Sequence, residues 1–198
     1  RGWRVGERQR SRVEEAARGA GVTQFAVWQG LFAVWAWKLC GGEEEKEDVL
    51  VVGPYGRREG SEYQRTVGYL LNMLVYRYRA ASALLERGLK ELARESGRVI
   101  AETIERGSMY PFARLVRESG RRELLGSSFV WMSAVDSEGE LELEKTIGWT
   151  TVAKMGLQVY ADGKSVWAVW DTRVREVIGD EVLLAEGVQS EIAQREEW

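Results

Sequence analysis

Between Phe25 and Cys40 the chain is apolar almost throughout, interrupted by Gln29 and Lys38. Phe25, Trp28, Phe32, Trp35 and Leu39 recur at three- and four-residue spacing, and Val27, Leu31 and Val34 widen the apolar surface. This spacing predicts a helix buried at the centre of a core, because apolar residues cover nearly its whole circumference. Thr23 can cap its start and Gly41-Gly42 can stop it. The run is shorter than the ~20 residues a bilayer-crossing helix needs. Upstream, Ser11-Arg12-Val13-Glu14 has the form of a capping box and predicts a short helix to about Ala17, ended near Gly19 or Gly21.

Strand patterns follow. Val49-Leu50-Val51-Val52 is a continuous run bounded by charge and by Gly53-Pro54, as expected for a strand covered on both faces. Residues 53 to 64 are rich in Gly and Arg and read as irregular, and Leu70 to Tyr78 reads as a second strand. Ser82 is expected to open one long helix with a stripe of Leu85, Leu89, Leu92, Val99, Ile100 and Ile104, its wet face carrying Glu86, Lys90, Glu91 and Arg94. A shorter helix is expected after Pro111, ending by Gly120. Ser128 to Val135 predicts a strand, and Gly156 to Tyr160 should pair with Ser165 to Trp170 across Ala161-Asp162-Gly163-Lys164, since Asp-Gly tolerates the positive φ of a hairpin turn. Asp180 can cap a closing helix bearing Val182, Leu183, Val188 and Ile192. With no internal repeat or linker, residues 1–198 are expected to form a single α/β domain with a mixed sheet and flanking helices.

Composition narrows the function. The 31 acidic and 28 basic residues give a net charge of -3, which offers no field for nucleic acid or an anionic membrane. Neither is an expected partner. The first residues carry no apolar stretch with a cleavage site, so no secretory leader is expected, and a cytoplasmic location is the default. One cysteine, Cys40, excludes an intrachain disulfide and a multi-cysteine zinc site; it reads as a small core residue. No histidine is present, which removes Ser-His-Asp and Cys-His catalysis, and no phosphate-binding G-x-x-x-x-G-K-[ST] loop occurs. No bound metal or cofactor is expected. The carboxylates from Gly139 to Glu144 alternate with Leu141 and Leu143 and read as a strand or exposed turn.

Two strings stand out from this background. Val67-Gly68-Tyr69-Leu70-Leu71-Asn72-Met73-Leu74-Val75-Tyr76-Arg77 resembles the I-G-x-F-V-N-T-L-x-x-R motif of nonribosomal peptide synthetase condensation domains. Gly68, Asn72, Leu74 and Arg77 fall at its offsets, while Met73 and Leu70 stand for Thr and Phe. Downstream, Tyr110, Pro111, Phe112, Leu115 and Val116 match the family's H-Q-D-Y-P-F-E-x-L-V, with Gly107, Ser108 and Met109 in place of its polar triplet. Gly21-Val22-Thr23-Gln24-Phe25 is similar to the family's G-V-T-x-F, and Asp48, Gly53, Pro54, Gly56 and Arg57 follow its strand-and-turn order, although the turn is shorter.

The resemblance implies a single lobe of the chloramphenicol acetyltransferase-like fold, the C-terminal half of a two-lobed domain with a tunnel between the lobes. The family joins a carrier-bound acyl or peptidyl thioester to a carrier-bound amine, both on phosphopantetheine arms, and its His-His-x-x-x-Asp-Gly motif lies in the N-terminal lobe. Implied partners are therefore that missing lobe and peptidyl or aryl carrier proteins. A chain without histidine is expected to be inactive alone. Two other readings stay open: a non-catalytic relative that recruits a tailoring enzyme, and a lobe of an epimerisation-type relative.

Site residues carry a structural alternative beside the functional one. Asn72 either lines the tunnel or bonds backbone, since a carboxamide among apolar residues needs partners. Arg57 and Arg77 either lie near a carrier phosphate or tunnel wall, or are solvated or paired with carboxylates. By resemblance Ser133 lies on the tunnel-facing strand, and Trp149, in Gly148-Trp149-Thr150, is a candidate for the segment bridging the lobes. Gly68, Tyr110, Pro111 and Phe112 read as motif and packing positions, with Pro111 setting a helix start.

Overall fold

The computed structural model describes residues 2–4, 6–39, 48–56, 61–63, 65–68, 70–79, 81–120, 126–132, 155–160 and 165–170. Helix α1 spans Glu7–Ala20. It begins earlier than the Ser11 capping box predicts: Gln9 Oε1 accepts from the Gly6 amide at 2.9 Å, which caps the helix five residues upstream and leaves Ser11 exposed in its interior. Helix α2 spans Gln24–Leu39, with the Ala26 amide donating to Thr23 Oγ1 at 3.4 Å as the sequence suggests. Residues 26–36 are all buried. An all-round apolar helix has no wet face to offer, so the centre of the core is its place.

Six strands form one sheet: β1 (Gly2–Arg4), β2 (Val49–Gly56), β3 (Leu71–Tyr78), β4 (Ser127–Met132), β5 (Met155–Tyr160) and β6 (Ser165–Trp170), in the order β1-β6-β5-β4-β2-β3. The β2–β4 and β4–β5 pairs are parallel and the others antiparallel, the mixed sheet expected for the α/β class. The β5–β6 hairpin has the expected partners, with Gly156 opposite Val169. Strand β2 departs from expectation by running straight through Gly53 and Pro54. The β2–β4 ladder registers only Val52 with Ser128, so Pro54 needs no donor on that side, and a Cβ at Gly53 would meet the Phe129 carbonyl at 3.0 Å. Glycine is what lets β4 approach.

The long helix predicted from Ser82 is two helices, α3 (Ala81–Glu86) and α4 (Leu89–Gly107), broken at Gly88, whose φ of 96° no ordinary helix residue adopts. Helix α5 spans Phe112–Ser119. The predicted helix after Asp180 and the end of the strand beyond Met132 lie outside the described residues. No helix among the described residues is long and apolar enough to cross a membrane.

The core forms where α2 lies over β2 and β4 with α4 beside it. Phe129 of β4 meets the tilted rings of Phe25 at 5.6 Å and Phe32 at 5.9 Å, ring centre to ring centre. A Cβ at Gly30 would sit 3.2 Å from Leu92 and Ser96, so the absence of a side chain sets how closely α2 and α4 approach. At that crossing lies a polar cluster: Tyr78 Oη is 2.8 Å from the Gln29 amide and 2.7 Å from Ser96 Oγ, and Ser96 donates to the Ala26 carbonyl at 2.6 Å. All three side chains are buried, and Gln29 Nε2 is left without a partner when Oε1 accepts from Tyr78. Exchanging the nitrogen and oxygen of that amide, which are nearly identical in shape, gives the Tyr78 hydroxyl a donor on one side and frees its own proton for Ser96. Gln29 then donates to Tyr78, Tyr78 to Ser96 and Ser96 to Ala26.

Burial pushes the Tyr76 hydroxyl from an ordinary 10.0 up to about 12, and the fully buried Tyr78 is pushed further in the same direction by the same cause. The folded state holds these protons more tightly than the unfolded chain. Their contribution to stability is therefore complete below about pH 10 and is lost as pH climbs toward about 12. Urea unfolding at pH 8 and pH 11, with tyrosinate absorbance followed in parallel, should show stability falling at the higher pH and two tyrosines ionising only on unfolding.

Candidate functional site

The two motif strings meet in space. Asn72 is the second residue of β3, opposite Tyr55, and lies 38 positions before Tyr110. Its Nδ2 donates to the Tyr110 carbonyl at 2.8 Å and, at 3.4 Å, to the Ser108 carbonyl, while its Oδ1 accepts from the Phe112 amide at 3.1 Å. Phe112 is the first residue of α5, whose leading amides have no intrahelical partner, and Pro111 before it has no N–H to offer. One carboxamide thus fastens the turn between α4 and α5 and caps α5 from outside. The structure places Asn72 on backbone.

Around this clamp the other motif residues take defined positions. Gly68, φ 157°, lies in the exposed turn before β3, where its carbonyl accepts from the Leu70 amide at 3.1 Å. Tyr110 is 37% exposed, with its hydroxyl on the Glu118 carboxylate, and Arg114 donates to Glu118 at 2.7 Å while lying over the Tyr110 ring. The bond to Glu118 raises the Tyr110 pKa, and bonds from Tyr110 and Arg114 lower that of Glu118. Phe112 is half-buried. Arg77 is paired with Asp48, its Nε 2.8 Å from Oδ2, which ties the residue before β2 to the end of β3. Arg57, Ser133 and Trp149 lie outside the described residues.

Beside the clamp a cleft of about 610 Å³ runs along the outer edge of β3, walled by α4 and α5. Leu74, Val75, Val99, Phe112 and Leu115 give it an apolar floor. Arg77, Arg79, Arg98 and Arg106 stand on its rim with Glu102. Arg98 is engaged by Glu95 and Glu102, whereas Arg79 and Arg106 have no carboxylate partner among the described residues. Sequence reading missed both this cleft and the Tyr78–Gln29–Ser96 cluster. The only signal was Gln29, a polar residue inside the apolar run of α2.

No protein-family profile and no curated protein matches the sequence. Solved structures do. The condensation domain of the Monacolin K polyketide synthase MokA superposes with a TM-score of 0.69 at 14% identity, over 98% of this chain and 46% of that one. VibH, an NRPS condensation enzyme, gives 0.69 at 9%, over 100% and 47%. SgcC5 from Streptomyces globisporus gives 0.64 at 18%, over 98% and 47%. The chain therefore has the fold of part of a condensation domain and spans about half the length of these structures.

Proposed function

We propose that this chain is the C-terminal lobe of a condensation-type domain and forms one wall of the tunnel in which a carrier-bound thioester meets a carrier-bound amine. The observation that carries the reading is coverage: nearly the whole chain superposes on under half of each condensation structure. The contacts Asn72–Tyr110 and Arg77–Asp48 support it, since they join residues drawn from separate motif matches. In this reading the lobe holds and shapes the substrate path. The amine-directing imidazole comes from an N-terminal lobe, because no histidine exists here.

The test is complementation in trans. An N-terminal lobe carrying His-His-x-x-x-Asp-Gly, mixed with this chain and with loaded carrier proteins, should raise amide formation about a hundredfold or more above either lobe alone. Absence of any complex between the lobes, with no gain in rate, would sink the reading.

A further inference from the structure

We propose that the cleft along β3 binds an extended acidic segment of a partner protein, which adds to the sheet as a seventh strand. This goes beyond the condensation-lobe reading and does not depend on it.

Three features converge on that ligand. β3 ends the sheet order, so one side of its backbone has no strand partner among the described residues, and an open sheet edge is a template for an incoming strand. The floor of Leu74, Val75, Val99, Phe112 and Leu115 is apolar, as a pocket for alternate side chains of that strand requires. Arg79 and Arg106, which have no carboxylate partner among the described residues, stand at opposite ends. Arg106 precedes Gly107, where a Cβ would lie 3.6 Å from Leu74, and Arg79 follows the other end of β3. Arg98 and Glu102 lie between, already satisfied by each other.

The spacing sets the ligand pattern. Along β3 from Leu74 to Arg79 the chain advances about 16 Å, and carboxylates at positions i and i+4 of an extended peptide are about 13 Å apart on one face, a difference that two arginine side chains can span. Glu102 in the middle of the rim disfavours a third carboxylate at i+2. The segment recognised is therefore acid-x-apolar-x-acid. A second copy of this chain fits poorly, because β3 against β3 would bring the Arg77 and Arg79 of each copy to one interface.

Fluorescence anisotropy on the 198-residue chain with a labelled peptide containing Glu-Thr-Val-Thr-Glu tests this directly. Saturable binding is expected, weakening as salt is raised, with no binding of the matched Lys-Thr-Val-Thr-Lys peptide. R79E and R106E, at exposed sites away from the core, should each weaken binding about tenfold while circular dichroism stays unchanged. N-methylation of alternate peptide amides should abolish it in one of the two possible registers, because only amides facing β3 contribute. Equal binding of the acidic and basic peptides, no binding of the acidic one, or full retention in an R79E/R106E variant would overturn the site. Equal binding by both N-methylated registers would overturn strand addition.

Discussion

Replacing Tyr78 with phenylalanine is expected to lower the unfolding free energy by about 2–4 kcal/mol, although it removes a single oxygen. That oxygen links Gln29 on α2 to Ser96 on α4, at contacts of 2.8 Å and 2.7 Å, in a region that water does not reach. Its removal strands polar groups on both helices, and a buried group without a partner costs more than the bond itself was worth. A double variant, Tyr78→Phe with Gln29→Leu, should recover part of the loss, since the amide that lost its partner is then gone too. Urea midpoints for the two single variants and the double give the coupling. Strictly additive losses would show that the cluster does not act as a unit. Tyr78→Phe should also reduce the sensitivity to alkaline pH.

Asn72 provides the second large effect, and a local one. Asn72→Leu removes three hydrogen bonds to the 108–112 backbone and should cost about 1–3 kcal/mol, with faster amide exchange concentrated in α5 and the turn before it. Asn72→Asp separates donor from acceptor. Its carboxylate can still accept from the Phe112 amide, but the other oxygen faces the Tyr110 and Ser108 carbonyls, where a donor is needed. Near neutral pH this variant should therefore be no better than Asn72→Leu. Toward about pH 4 its carboxyl takes up a proton and can donate again, so its deficit relative to the parent protein should shrink. Protection of α5 amides that is unchanged in both variants would show that α5 is held by its apolar contacts alone.

Much of the architecture was legible because some segments say one thing at every level. In α2, apolar periodicity, the Thr23 cap and length agree, and the β5–β6 hairpin has alternation and Asp-Gly together. Other segments carry competing signals. The leucine pattern continues across Arg87-Gly88, so periodicity predicted one helix where backbone conformation makes two. Gly53-Pro54 has the chemistry of a turn, yet the close approach of β4 uses the glycine and the short β2–β4 ladder leaves room for the proline. β1 is three residues long and offers no pattern to read.

The candidate site was legible as residue types and not as geometry. Asn72 stood out as a carboxamide in an apolar strand, but its partners come from 36 to 40 positions away, and only the packing of α4 against β3 brings them there. Nothing in the sequence marks out Arg79 and Arg106 among the other cations. What sets them apart is that their neighbours Arg77 and Arg98 have carboxylates and, among the described residues, they do not.

The pairing of β1 with β6 also imposes an order in time. Gly2 lies opposite Trp167, so β1 waits during synthesis for a partner 165 positions later, on the order of ten to thirty seconds at common elongation rates. Throughout that interval β1 is without β6, its strand partner among the described residues. A length of three residues, with Arg4 among them, gives a mistaken partner little to hold, and the same brevity leaves the final closure dependent on β6 already being in place.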